Sequence, residues 1–90
     1  MTGYRAHLAQ QATFQRQQAV SAREAAYVVT TAVCEAVGAR IAAHGVTGLA
    51  TFCATYAGHS NTVKTAILGV VLHRCGREAR DEVREVLPLC

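Results

Sequence analysis

Ninety residues, 51% of them apolar, carry a formal net charge of +3 with a single proline and no tryptophan. A chain this short makes one domain and buries only about 60% of the surface its unfolded form exposes, so its own core is small. Much of the apolar content is alanine, which favours helix throughout. The expected fold is all-α, a small bundle of four to five helices in a single domain. It divides into a basic amphipathic N-terminal helix over 1–20, an apolar helical core over 21–75 and a charged C-terminal helix over 77–87.

Residues 4–19, YRAHLAQQATFQRQQA, are polar, glutamine-rich and free of helix breakers. Tyr4, Leu8 and Ala12 recur on one face with Phe14 to the side, which predicts a weakly amphipathic helix lying on a surface. Charge is unevenly spread: 1–23 holds Arg5, Arg16 and Arg23 with no acid, whereas 76–90 is net negative. An acid-poor, arginine-bearing helical start resembles a mitochondrial targeting segment, so the expected location is mitochondrial, and otherwise a reducing intracellular compartment. No continuous apolar run of the secretory kind occurs in 1–23.

Ser21 and Glu24 form an S-x-x-E capping box, which predicts a helix starting near Ala22. Its stripe is Ala22, Ala25, Ala26, Val29, Val33, Val37 and Ile41, and His44 with Gly45 marks its end.

From Ile41 to Val63 the chain carries no Asp, Glu, Lys or Arg. Such a stretch is a membrane span, a buried helix pair or a helix-turn-helix. For a span over 41–58, Ile41, Val46, Leu49 and Phe52 contribute about −2 kcal/mol in total, opposed by His44, glycines and threonines. A helix there needs neighbouring helices, to which its small residues give close approach. Alternatively Thr47 caps a short helix over about 48–57, closed by Gly58.

Ser60, Asn61 or Thr62 caps the next helix, whose apolar positions Val63, Ala66, Ile67, Val70 and Val71 form a regular stripe to about Arg74. Gly76 permits a break. Arg77 to Leu87 is strongly charged, with Ala79, Val83, Val86 and Leu87 on one side, and Pro88 ends it. Its Arg77, Asp81, Arg84, Glu85, Glu78 and Glu82 stand at spacings that allow helical ion pairs, each contributing about 0.2–0.5 kcal/mol.

Within CATYAGHSNTVKTAI, the residues Ala54, Gly58, Ser60, Thr62 and Val63 resemble the helix-turn-helix of LacI-type repressors, an A-x-x-x-G step followed by a small polar residue and T-V. The resemblance implies a recognition helix opened by Ser60, Asn61, Thr62 and Lys64 against a DNA major groove. The basic support around it is confined to Lys64, Arg74 and the histidines His59 and His73, little for a mode driven by phosphate neutralisation. The segment KTAILGVVLHRCGR is similar to the last helix of the histone fold, although Gly38, Gly45, Gly48 and Gly58 punctuate what precedes it.

Cys34, Cys53, Cys75 and Cys90 fall in no C-x-x-C pair and read as reduced structural thiols. His73 and Cys75, two apart on a helix, lie on different faces and do not converge on a metal with Cys53 and His59. His44 and His59 are weaker candidates as heme ligands, and no metal or cofactor is expected. Phosphate loops, dinucleotide fingerprints, zinc-protease motifs and nucleophile elbows are missing, and Glu24 and Glu35 are the only acids before the tail.

The chain therefore reads as a non-enzymatic accessory or structural subunit of a larger multi-protein assembly, a mitochondrial complex being the expected one. Its partners are protein subunits, with a membrane as a further environment and nucleic acid only under the helix-turn-helix alternative over 47–74. The partner-contact residues expected from the apolar stripes are Val29, Val33, Val37, Ile41, Val63, Ile67, Val70, Val71, Val83, Val86 and Leu87.

Overall fold

A computed structural model describes residues 2–90, with side-chain surroundings from Ser21 onward. It is all-α with four helices: α1 Thr2–His44, α2 Leu49–Ala54, α3 Asn61–Cys75 and α4 Arg77–Val86. α1 packs mainly on α3, α3 on α4 and α4 on α2. At about 1.5 Å per residue a 43-residue helix is ~65 Å long. The molecule measures 67 × 25 × 19 Å, so α1 alone sets its long axis.

α1 corrects the expectation of a helix starting at Ala22. Ser21 and Glu24 lie in the middle of one uninterrupted helix, so the capping-box pattern does not cap. Neither a proline nor a glycine stands between Tyr4 and Val37, and the alanines and glutamines of 4–26 are good helix formers. A serine inside such a run has no helix end to cap.

α1 ends where glycine allows it, with the Gly45 amide bonded to the Ile41 carbonyl at 2.7 Å and Gly45 at φ 60°. α2 is shorter than the expected 48–57. Its cap is Gly48 at φ 68°, without a side-chain hydrogen bond, and Thr47 does not cap. The Gly45–Gly48 turn also cuts the apolar stretch 41–58, so that stretch forms no single membrane-length helix. Among the described residues, the stretch long and apolar enough to cross a membrane is instead Ser21–His44 of α1.

Arg40 pins this turn. Its guanidinium lies 5.6 Å from the centre of the Phe52 ring and reaches the Thr47 carbonyl at 3.4 Å. Phe52 in turn meets Tyr56 edge-on at 5.7 Å.

Of the three cap candidates at the start of α3, Ser60 is the one used: the Val63 amide donates to Ser60 Oγ at 3.4 Å. Gly76, at φ 89°, separates it from α4, which ends at Val86 just before Pro88. The ion pairs expected at helical spacing in α4 are replaced by a neighbour pair, Arg80 Nε to Asp81 Oδ1 at 2.8 Å. The core is Val33, Val37, Leu49, Cys53, Val63, Ile67, Val71, Val83 and Leu87, drawn from every helix and the residue after α4.

Candidate protein-interaction surface

The apolar stripes assigned to partner contact are used first by the chain itself. Val33, Val37, Val63, Ile67, Val71, Val83 and Leu87 are buried in its own core. Ile41, Val70 and Val86 are partly buried against that core. Of the expected contact residues only Val29, 44% exposed, stands free.

What remains uncovered is the part of α1 that runs past the bundle. Every residue from Ser21 to Val29 is exposed, and Tyr27 and Val28 are 73% and 63% accessible. Tyr27 and Val28 are the contact candidates that stripe-reading misses, because they lie off the Val29–Val33–Val37 line. The available signal is that Tyr27, Val28 and Val29 are consecutive, which makes this turn apolar around much of its circumference.

Between α1 and α3 lies an open groove of about 650 Å³. Thr30, Cys34, Gly38 and Ala42 line it at every fourth residue, with Tyr27 at one end and Val70 opposite. Glu35 stands on its α1 wall and Arg74 on its α3 wall. The Arg74 guanidinium packs over Gly38, its Cζ 3.6 Å from the point a Cβ there would occupy.

The residues assigned to DNA contact have other engagements. Ser60 caps α3. Lys64 is 3% exposed, and its Nζ donates to the Pro88 carbonyl at 2.8 Å. Asn61 Nδ2 donates to the Cys90 carbonyl oxygen at 3.1 Å, and the Cys90 amide donates back to Asn61 Oδ1 at 3.0 Å. Only Thr62 of this set is exposed without such a contact. The segment 88–90 thus lies over the start of α3.

The thiols and imidazoles are scattered. Burial pushes the Cys34 thiol up, and the Cys53 thiol, fully enclosed in the core, up to about 11. In both thiols the shift comes from burial, which disfavours the thiolate. His44, His59 and His73 are exposed, and among the described residues no three His, Cys, Asp or Glu side chains converge. Comparison of the chain with protein-family models, with curated proteins and with solved structures finds no match.

Proposed function

We propose that this protein is a non-catalytic accessory subunit that joins a larger protein assembly through α1, with a mitochondrial complex as the assembly to examine first. The observation that carries the reading is the run Ser21–Val29, a stretch of α1 in which every residue is exposed, Tyr27, Val28 and Val29 among them. An isolated helical arm is marginal in water, because most helical stability comes from packing an apolar face. An arm of this kind is stabilised when a partner covers it, and exposed aromatic and apolar side chains of this type serve as contact anchors.

Protein suits this arm better than lipid. Within Ser21–His44, Glu35 lies close to the midpoint, where a carboxylate costs about 3 kcal/mol in a bilayer, and Arg23, Glu24 and Arg40 add to the cost. The DNA alternative asks Asn61 and Lys64 to face a duplex, whereas both are engaged by residues 88–90. The reading rests on protein contacts for that reason.

The test is native electrophoresis of the tagged protein from gently lysed, fractionated source cells, with co-migrating proteins identified by mass spectrometry. Migration in a large complex that Val28→Asp abolishes is the expected result. A freely migrating small species, or retention in alkali-resistant membrane, overturns it.

A further inference from the structure

We infer that the groove between α1 and α3 is a self-association surface that seats a second copy of this chain about a two-fold axis. The inference rests on the reading of α1 as a contact helix and names the partner of its groove.

The first observation is the pairing of charges across the groove. Glu35 stands on the α1 wall and Arg74 on the α3 wall, both exposed, and among the described residues neither has an oppositely charged group within 4.0 Å. Arg74 lies over Gly38 instead of reaching Glu35 one turn away. A surface with one acidic and one basic wall is complementary to its own two-fold image. An isologous contact brings residue i of one copy to residue j of the other and j to i, so it forms the Glu35–Arg74 pair twice. Another kind of partner satisfies both charges only by carrying its own opposite pair at the matching separation.

The second observation is shape. Thr30, Cys34, Gly38 and Ala42 repeat at four-residue spacing along the floor, so the groove follows an i±4 row of α1 for about three turns. Thr30, Cys34 and Ala42 are the part of this row left open, Gly38 being buried under the Arg74 guanidinium, and two i±4 rows interdigitate in the commonest class of helix crossing. Tyr27, 73% exposed at the groove end, gives the second copy an aromatic anchor that the chain does not use itself.

The experiment is light scattering coupled to size exclusion on the full chain over a wide concentration range, with the wild type, Glu35→Arg, Arg74→Glu, the double swap Glu35→Arg/Arg74→Glu, and an equimolar mixture of the two single variants. The wild type is expected to be a dimer. Each single reversal puts two like-charged pairs in the interface and weakens dimerisation about tenfold or more. The double swap restores the dimer.

The mixture is the decisive arm. In a heterodimer of the two single variants, the arginine introduced in the Glu35→Arg chain faces the glutamate introduced in the Arg74→Glu chain. The native Glu35 of the second chain faces the native Arg74 of the first, so both contacts again join opposite charges. Mixing therefore restores dimers only if the pairing is between copies, whereas a pair within one chain is not restored by mixing. Because both positions are exposed, circular dichroism of every variant should match the wild type. A wild type that stays monomeric, single variants that dimerise like it, or a mixture that remains monomeric overturns the inference. A monomeric wild type that still enters a large complex in cells rejects self-association while leaving the accessory-subunit reading in place.

Discussion

Lys64, a residue 3% exposed, donates from Nζ a 2.8 Å hydrogen bond to the carbonyl of Pro88, twenty-four residues away, and so closes the C-terminal segment over the start of α3. Asn61, one turn earlier, exchanges two hydrogen bonds with the main chain of Cys90. A cation in the first turn of a helix opposes the helix dipole, so the ammonium is not at this position for the sake of α3 alone. With the residue 3% exposed, the long methylene stem is buried as well, and its burial is the part of the side chain that stability uses.

Lys64→Met keeps the stem and removes a buried charge, so the urea midpoint should stay within about 1 kcal/mol of wild type or rise. Lys64→Ala empties the stem's site and is expected to cost about 2 kcal/mol. Equal losses in both variants would mean that the ammonium, rather than its stem, holds the segment.

The core and the arm separate two effects that a contact screen otherwise confuses. Ile67 is fully buried, and Ile67→Ala should lower unfolding free energy by about 2–5 kcal/mol. Val28, 63% exposed, should tolerate Val28→Asp with helicity nearly unchanged while losing incorporation into an assembly. Val33→Asp, at a buried position, should unfold the chain and so cannot report on partners at all. Circular dichroism beside native electrophoresis distinguishes these outcomes.

The difference between Val33 and Val28 also marks what was legible in the sequence. The stripes at Val33–Val37 and Val63–Ile67–Val71 predict apolar faces and their helices correctly, because 3.6-residue periodicity is a local property. Whether such a face meets the same chain or another depends on how helices dock, which periodicity does not encode. A cap within Ser60–Thr62 and Gly76 as the α3–α4 break were readable because each sits between strong helical runs, and the structure selects Ser60 of the three. Ser21 misleads because the same pattern sits inside one. The groove charges Glu35 and Arg74 stand thirty-nine residues apart in sequence and become neighbours only through the packing of α1 on α3.

That reading of Ser21 is testable. In the middle of α1 its side chain caps nothing, and alanine is the better helix former, so Ser21→Ala should leave the helical signal and the melting temperature unchanged or slightly raised. A true N-cap loses about 1 kcal/mol on the same substitution. A drop of that size, seen as lost far-ultraviolet ellipticity, would mean that α1 is two helices meeting at this serine.

Cys53 gives the chain a specific alkaline weakness. Its side chain is fully enclosed, and burial raises its pKa from 9.0 to about 11 because the core disfavours the thiolate. Above about pH 9 the unfolded chain releases this proton while the folded chain keeps it, so the unfolded state is favoured as pH rises. Stability is therefore complete below about pH 9 and is lost progressively toward pH 11, by on the order of 2 kcal/mol from this one group. Cys53→Ala removes the titration at the cost of a smaller side chain, so its unfolding free energy should be lower at neutral pH but flatter across that window. Urea titrations of both proteins at about pH 8 and about pH 10.5 measure the difference in slope. Parallel losses in the two proteins would place the alkaline sensitivity in other groups.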